Sequence, residues 1–280
     1  MTTRLEPSRR DGIDCARHDG VAVIAFDRPE RRNALDLPMR SEFARVVASA
    51  IADDDIRAIV LTGRGGHFCA GGDIGSMRSA TGLTAEAGRK RMRAVLDTVS
   101  ALYTCDKPVL AAVEGAAFGA GFALALLADF VVAAQGARFC MSFARVGLVP
   151  DSGALYTLPR IVGVQRAKEL MLSARELDAQ EALALGIALE VSAEGGALER
   201  TLELARSLAQ ASPVAVAMTK TALNCSLSSD LRAMVELEAN AQGVAFASAY
   251  HREAVERFLA RQPPRFQWPA AGAERAEGAT

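Results

Sequence analysis

The chain has 280 residues, of which 50% are hydrophobic, and it carries 32 lysines and arginines against 33 aspartates and glutamates. A chain of this length and composition can bury a large core, which excludes disorder for most of it. Its formal net charge of -1 provides no overall field that would favour nucleic acid or an anionic lipid surface. Any basic binding site must therefore be local.

Cysteine usage and the chain's first residues bear on its compartment. The five cysteines include no CxxC pair, and no histidines cluster at metal-ligand spacing, which argues against a disulfide framework or a zinc site. Residues 1–20 are charged and lack the apolar stretch of a secretory signal, so we expect a cytoplasmic protein. The longest apolar stretch, 108–134, contains Glu114, Asp129 and three glycines. It predicts a buried strand, loop, helix and strand rather than a membrane span.

Strands and helices are predicted to alternate through the first half of the chain. Residues 21–26 form a β-branched apolar run typical of a buried strand. After Asp36, a predicted N-cap, apolar residues recur at helical spacing as far as Ile51. Further strands are predicted at 56–63, 108–115 and 130–134. This order indicates βαβ units and a largely parallel sheet, whose ligand sites tend to lie at the carboxyl ends of the strands.

From about residue 153 onward the pattern becomes helical. The segment Asp178–Glu181 resembles a capping box at a helix start, and Gly186 is a predicted stop. Further helices are predicted at 196–209, 213–226, 230–246 and 250–260. The tail after Gln262 is rich in proline, alanine, glycine and glutamate, and is predicted to be a solvated extension.

Two segments of small residues follow predicted strands and are the main candidates for a functional site. The first glycine loop is His67–Asp73, and the second glycine loop is Gly115–Gly121. Small side chains leave backbone N–H groups open to a ligand, with favourable helix-dipole polarity. Together the loops could form an oxyanion hole for a thioester carbonyl, in which one donor contributes on the order of 3 kcal/mol. Taken singly, each loop is better explained by close packing of a helix on a strand.

Several motifs resemble segments of the crotonase (enoyl-CoA hydratase/isomerase) superfamily, in that family's order. They are DRPERRNAL at 27–35, FCAGGD at 68–73, the second glycine loop after PVLAAVEG, ADF at 128–130, and GLVPDSG at 147–153 followed by LPRIVG. The similarity runs from about Val21 to Phe266. It implies an α/β fold with a spiral core of stacked ββα turns at 12–195, a helical C-terminal trimerisation region at 196–262, and a flexible tail at 263–280.

The resemblance also implies how an acyl-CoA substrate binds. The family's two oxyanion amides fall on Gly72 and Ala120, and the family usually has glycine at the second position. Coenzyme A would lie over 28–35 and the first glycine loop, with Arg31 or Arg32 near its phosphates. The implied contacts are Arg28, Arg31, Ala34, Leu35, Ala70, Gly71, Asp73 and Ile74. No metal and no cofactor beyond the CoA moiety of the substrate is expected, and neither nucleic acid nor membrane is an expected partner. Family members form trimers or pairs of trimers, which implies a homotrimer or homohexamer.

The departures from the family pattern concern acid–base chemistry. Family hydratases use two glutamates, and this chain has Ala123 and Phe143 at those positions. Adding water across a double bond needs a positioned nucleophile and a proton donor, so ordinary hydratase chemistry is disfavoured. Asp151 stands where some family isomerases, including those acting on phenylacetyl-CoA-derived epoxides, carry an aspartate. A double-bond shift needs only one base.

The environment of Asp151 has two interpretations. Phe118, Phe122 and Phe143 would supply an apolar substrate pocket, and burial there would raise the pKa of the carboxyl and make it a better base. Alternatively, Asp151 caps the helix that begins near Gly153.

We therefore expect an enoyl-CoA isomerase that shifts a double bond or rearranges an epoxide-derived ring acyl-CoA. Asp151 would be the acid and base, and the amides of Gly72 and Ala120 would hold the enolate. The first alternative is an enoyl-CoA hydratase that uses Asp151 with a water. Dehalogenation by a nucleophilic aspartate is disfavoured, because Ser100 and Phe143 replace the histidine and tryptophan that such family members need. An alternative of another class is a non-catalytic CoA- or RNA-binding homologue that uses the basic run 89–93.

Four further polar residues near the motifs are interpreted as structural. His67 is expected to stabilise its loop, and Cys69 to be a small inert hydrophobe because it lacks an adjacent base. Glu114 and Asp129 are expected to form buried pairs or caps.

Overall fold

The computed structural model describes residues 5–77, 82 and 84–270. Its strands are β1 (Ser8–Arg10), β2 (Ile13–His18), β3 (Val21–Phe26), β4 (Ala58–Gly63), β5 (Val109–Val113), β6 (Ala116–Phe118), β7 (Phe130–Ala134), β8 (Arg138–Cys140), β9 (Glu176–Asp178) and β10 (Glu190–Ser192). Seven of them form one sheet in the order β1-β2-β3-β4-β5-β7-β10, and β6, β8 and β9 form a second sheet.

The helices are α1 (Leu37–Ala52), α2 (Ile74–Met77), α3 (Ala85–Thr104), α4 (Ala120–Ala125), α5 (Ala154–Val162), α6 (Val164–Ser173), α7 (Ala179–Ala184), α8 (Ala197–Ala209), α9 (Pro213–Ser226), α10 (Leu231–Ala247) and α11 (Ala249–Leu259). Short 3-10 helices occupy Pro29–Arg31 and Ser142–Val146. None of the helices in the described part of the chain combines the length and apolar character needed to cross a bilayer.

The register of the main sheet determines where its loops meet. Strands β1, β2 and β3 pair antiparallel, whereas β3, β4, β5, β7 and β10 run parallel. Because parallel strands end at one edge of a sheet, the segments that follow β4 and β5 emerge side by side. These segments are the two glycine loops.

Helices cover both faces of the main sheet. The sequences of its central strands are therefore continuously apolar rather than alternating between apolar and polar residues. On one face Ile24 and Phe26 lie in the same buried cluster as Phe43 of α1. On the other face Val23 lies in a separate buried cluster with Leu204 of α8. All six residues of β3 are consequently buried.

The predicted elements are largely confirmed. Strands predicted at 21–26 and 130–134 have those bounds, and helix α9 occupies the predicted 213–226. The side chain of Asp36 accepts a hydrogen bond from the Met39 amide at the start of α1, as an N-cap does. The apolar stretch 108–134 forms β5, β6, α4 and β7, as a strand, loop, helix and strand should.

Two expected boundaries need correction. Helix α8 was placed with the C-terminal region, but its buried face packs on the main sheet, so the core extends to Ala209. The tail expected to be flexible from 263 lies against the core as far as it is described, because the Trp268 ring contacts Phe130 with centroids 5.3 Å apart. Residues 271–280 of that expected tail lie outside the described residues.

The two acids of the apolar stretch have the structural roles expected of them. The carboxylate of Glu114 accepts hydrogen bonds from the amides of Gly195 (3.3 Å) and Ala197 (3.0 Å), which satisfies free donors at the start of α8. Asp129 accepts from the Val109 amide at 2.7 Å and forms an ion pair with Lys220 at 2.9 Å. This pair joins the core to α9.

Replacing Lys220 by methionine tests that junction. The Lys220 side chain is 8% exposed and that of Asp129 is 23% exposed, so the variant leaves a partly desolvated carboxyl without its cation. We expect the free energy of unfolding to fall by about 2 kcal/mol in urea denaturation. Lys168→Met, on an exposed site of α6, is the matched control and should change it by less than about 0.5 kcal/mol. Equal values for the two variants would contradict the assigned role of Lys220.

Candidate active site

Direct backbone contact brings the two glycine loops together. The Cys69 amide donates to the Ala116 carbonyl at 2.9 Å, and the Cys69 carbonyl accepts from the Phe118 amide at 2.9 Å. The loops therefore continue the parallel pairing of β4 and β5 beyond the edge of the main sheet.

Two glycines make this contact possible. A Cβ atom added at Gly121 would lie 2.1 Å from the carbonyl oxygen of Cys69, and one at Gly71 would lie 2.7 Å from that of Phe118. Gly71 also has φ +92°, which favours glycine. The close-packing interpretation thus holds for these two residues. It does not account for Gly72 and Ala120, which stand next to them.

The amides of Gly72 and Ala120 are among the main-chain donors of the two loops that have no acceptor in the described part of the chain. Neither donates to an acceptor among residues 5–77, 82 and 84–270. The Ala120 nitrogen lies only 3.4 Å from the Cβ position of Gly71, so the second donor is next to the first loop. Helices α2 and α4 have four and six residues. Their dipoles are therefore small, and the N–H groups themselves must provide most of the stabilisation of an anion.

Asn33 holds the segment 28–35 against the first glycine loop. It is fully buried, its side-chain oxygen accepts from the Arg28 amide at 2.8 Å, and its nitrogen donates to the carbonyls of Arg64 (2.9 Å) and His67 (2.7 Å). Its φ of +59° lies in the left-handed region, which asparagine tolerates better than most residues. The sequence analysis missed this residue, although an asparagine between charged residues and an apolar run is a turn signal.

The two segments expected to hold coenzyme A are neighbours. The Leu35 amide donates to the Gly71 carbonyl at 2.7 Å, and the Asp73 amide donates to the Leu35 carbonyl at 3.0 Å. The Arg28 guanidinium donates to the Ala34 carbonyl at 2.9 Å and pairs with Asp36 at 2.8 Å. The charge of Arg28 is therefore engaged within the protein.

The other expected contacts lie around this junction. Arg31 and Arg32 are exposed and have no carboxylate partner in the described part of the chain. The Ala70 amide donates to the Arg32 carbonyl at 2.9 Å, and Ile74, 66% exposed, follows the loop. The exposed side chains of Arg31, Arg32 and Ile74 therefore lie around the junction between the segment 28–35 and the first glycine loop.

Asp151 lies between the 3-10 helix Ser142–Val146 and α5, with its side chain partly buried. Its carboxylate accepts a hydrogen bond from the Ser152 hydroxyl at 2.9 Å. Burial raises the pKa of Asp151, whereas the Ser152 hydroxyl and the positive charge of Arg40 act in the opposite direction. Helix α5 begins after Gly153 without a side-chain cap. The interpretation of Asp151 as a side-chain cap is therefore wrong.

A cavity of about 200 Å³ connects this region to the second glycine loop. It is mostly apolar and lies between α1 and α3, and Ala120 and Ser152 belong to its wall. The other lining residues are Leu35, Leu37, Arg40, Ser41, Phe43, Ala44, Val95, Thr98, Val99 and Leu124. A larger cleft of about 960 Å³ lies between the core and the C-terminal helices and includes neither glycine loop.

The expected pocket phenylalanines stand around the second glycine loop rather than along the wall of this cavity. The Phe122 ring packs on Phe139, with centroids 5.2 Å apart, and is fully buried. Ring atoms of Phe143 lie 4.0 Å from the Cβ position of Gly119. Phe118 is half-buried at the end of β6. Ala123, at the position of a family glutamate, is fully buried in α4.

The cavity residues from α3 were missed by the sequence analysis. Val95, Val99 and Leu102 recur at helical spacing and could have predicted this helix. The neighbouring basic run 89–93 is typical of the solvated face of a helix, with RNA binding as the alternative. Within it Arg89, Lys90 and Arg93 are exposed on α3, as expected of a solvated helix face.

The two remaining candidates are structural. The Nδ1 atom of His67 accepts a hydrogen bond from the Ala116 amide at 3.2 Å, which ties the first glycine loop to the second. Burial raises the pKa of the Cys69 thiol to about 12, so the thiol stays protonated at neutral pH and is a poor nucleophile.

Comparison with known proteins identifies the scaffold. The family model for enoyl-CoA hydratase/isomerase matches residues 16–269. The chain belongs to this family, within the crotonase superfamily. A family member from Rhodobacter capsulatus named probable enoyl-CoA hydratase is 43% identical over 248 residues, which are 89% of this chain and 95% of the relative. The 1,2-epoxyphenylacetyl-CoA isomerase of Escherichia coli is 36% identical over 248 residues, 88% of this chain and 95% of the relative.

A solved family structure agrees with the fold described above. The crystal structure of the enoyl-CoA hydratase/isomerase from Cupriavidus metallidurans CH34 superposes with a TM-score of 0.90 at 43% identity. The match covers 95% of this chain and 100% of that one. The expected crotonase-like spiral with a helical C-terminal region is thereby confirmed.

Replacing Gly121 by alanine tests the contact between the loops in this family member. Because the new methyl group would overlap the Cys69 carbonyl, α4 must move away from the first glycine loop. We expect the free energy of unfolding to fall by about 2 kcal/mol, measured by chemical denaturation. Gly88→Ala, in α3, is the matched control because no described atom lies within 4 Å of its Cβ position. It should raise stability by about 0.5 kcal/mol. A stable Gly121→Ala variant would show that the loops are not in direct contact.

Proposed function

We propose that this family member is an enoyl-CoA isomerase that shifts a double bond, or rearranges an epoxide-derived ring, next to a CoA thioester. The observation that carries the proposal is one partly buried carboxyl, Asp151, beside a cavity that reaches the available Ala120 amide. Asp151 is not itself part of the cavity wall, but its neighbour Ser152 is. Ala123 and Phe143 supply no carboxylate at the two positions that the family's hydratases use.

The proposed chemistry needs one base and two hydrogen-bond donors. The Asp151 carboxylate takes a proton from the α-carbon of a 3-enoyl thioester, and the negative charge spreads onto the thioester oxygen. The amides of Gly72 and Ala120 donate to that oxygen, each lowering the barrier by on the order of 3 kcal/mol. Protonated Asp151 then returns the proton to the γ-carbon, which leaves the conjugated 2-enoyl thioester. Proton and charge balance without water or another reactant.

Substrate binding is proposed to use the surface beside the first glycine loop. Arg31 and Arg32 are exposed and have no carboxylate partner among the described residues, so their charges are available to CoA phosphates. Arg28 and Asn33 would shape the segment rather than contact the phosphates, because their polar groups are engaged within it. The acyl group would enter the cavity between α1 and α3.

The proposed assembly is a homotrimer or homohexamer. Helices α9 to α11 expose large apolar side chains that a soluble surface would not normally carry together. They include Leu223, Leu227, Leu231, Phe246, Phe258 and Leu259. Contact between copies of the chain would remove them from water.

Asp151→Asn tests the proposed base. Asparagine keeps the size of the side chain but cannot accept the proton, so kcat on a 3-enoyl-CoA should fall at least ~100-fold. Turnover is followed by the ultraviolet absorbance of the conjugated product. Asp97→Asn, at an exposed position on α3, is the matched control and should keep full activity. Full activity of Asp151→Asn, with the fold intact by circular dichroism, would remove Asp151 as the base.

A hydratase remains the second candidate because the 43% identical relative carries that name. In that reaction Asp151 would activate a water for addition to a 2-enoyl-CoA. Since the two family glutamates are replaced, we expect crotonyl-CoA to be hydrated at least ~100-fold more slowly than a 3-enoyl-CoA is isomerised. Chromatography of the 3-hydroxyacyl product measures this ratio. Rapid hydration that Asp151→Asn abolishes would favour the hydratase.

A further inference from the structure

A second cavity lies beside the one proposed for the acyl group. The first, here called the acyl cavity, has a volume of about 200 Å³ and lies between α1 and α3. The second, here called the distal cavity, has a volume of about 490 Å³ and lies between α3, α5 and α9. Val99 of α3 is the one described residue that lines both. Ser152 lines the acyl cavity and Gly153 the distal cavity, so the two are neighbours.

Val99, Leu127 and Gly153 close the gap between the two cavities. A Cβ atom added at Gly153 would lie 3.2 Å from the Cγ1 atom of Val99 and 3.2 Å from the Cδ2 atom of Leu127. Carbon atoms in favourable contact lie about 3.5–4.0 Å apart, so not even one further carbon fits among these three residues. Val99 and Leu127 are both buried. A hydrocarbon chain therefore has no path through the partition.

The volume of the acyl cavity bears on the length of the acyl group. At about 200 Å³ it is smaller than the roughly 300–1,000 Å³ of pockets that enclose drug-sized ligands. It can enclose a short acyl group, whereas a long one would need the space of the distal cavity as well.

We propose that Val99 is a specificity-determining residue that restricts this enzyme to short-chain acyl-CoA substrates. The inference rests on the proposed function, which places the acyl group in the acyl cavity. Removing the two methyl groups of Val99 would open the partition on the side of α3. The distal cavity would then accept the far end of a longer chain.

The distal cavity is suited to hydrocarbon once it is opened. The rings of Tyr103 and Tyr156 form a T-shaped pair in its wall, with centroids 5.6 Å apart. The Tyr156 hydroxyl donates to the Asn224 carbonyl at 3.2 Å, and the Asn224 side-chain nitrogen donates to the Tyr103 carbonyl at 3.2 Å. Because these polar groups are already bonded to the protein, an entering acyl chain leaves them satisfied.

The experiment compares kcat/KM for 3-decenoyl-CoA with that for 3-hexenoyl-CoA. The natural chain should prefer the short substrate by at least ~10-fold, since each methylene group that finds or lacks an apolar site changes this constant by about tenfold or more. Val99→Ala should raise the ratio of the long substrate to the short one by at least ~10-fold. Leu96→Ala is the matched control, because Leu96 lines the distal cavity but not the acyl cavity. It leaves the partition closed and should keep the ratio within about twofold.

Equal kcat/KM of the natural chain for the two substrates would overturn the proposal without any variant. An unchanged ratio in Val99→Ala, with the fold intact by circular dichroism, would also overturn it. Leu127→Ala opens the same partition from its other side and replaces Val99→Ala if that variant fails to fold.

Calorimetric titration with hexanoyl-CoA and decanoyl-CoA separates this proposal from the proposed function. These saturated thioesters have no double bond to shift, so they report binding alone. If no 3-enoyl-CoA is isomerised, the proposed function fails, and the titration still decides whether Val99 limits chain length. We expect Val99→Ala to raise the affinity for decanoyl-CoA relative to hexanoyl-CoA by at least ~10-fold. The same relative affinity in the natural chain and in Val99→Ala would contradict the role of Val99.

Discussion

The backbone of the first glycine loop lies against the backbone of the second, and the candidate site depends on that contact. Cys69 exchanges hydrogen bonds with Ala116 and Phe118, as a residue within a sheet would, although it lies beyond the edge of the main sheet. The two backbones lie so close together that there is no room for a side chain at Gly71 or Gly121. Gly72, which adjoins Gly71, and Ala120, which adjoins Gly121, donate to no acceptor in the described structure. Their amides are the two donors proposed for an incoming oxygen.

Polar side chains hold the two glycine loops in place from the protein side of the site. Asn33 binds four separate backbone groups around the first glycine loop, and His67 accepts from the second loop. Each of these bonds satisfies a backbone group that would otherwise be costly to bury. The site is therefore held by hydrogen bonds on its protein side, which leaves its open side free for a ligand.

The sequence predicted the elements that depend on local pattern. Strands with continuous apolar runs, such as Val21–Phe26, and helices with a capping side chain, such as Asp36, were predicted within a residue or two. Strands of three residues, such as β6 and β8, were missed because so short a segment shows no periodicity. The boundary before α8 was misplaced because amphipathicity does not reveal which surface a helix will cover.

The candidate site was predictable only in part, because a local pattern does not reveal which distant segments the fold brings together. Motif order predicts the amides of Gly72 and Ala120 and the carboxyl of Asp151 as site residues, because each lies in a recognisable segment. Arg40 lies in an ordinary amphipathic helix, and only the fold places it in the same cavity wall as Ala120 and Ser152. Contacts between distant segments have no sequence signature, so cavity residues of this kind are found only in three dimensions.

The presence of Ala123 and Phe143 at the positions where the resemblance places two glutamates is the reason an isomerase is proposed rather than a hydratase. Adding water requires one group to activate the water and another to deliver a proton. Moving a proton from one carbon to another requires a single group that can first take it and then give it back. Such a group must be ionised before the reaction and must become a competent acid during it. This is the role proposed for Asp151, whose pKa is raised by burial and lowered by the hydrogen bond from Ser152.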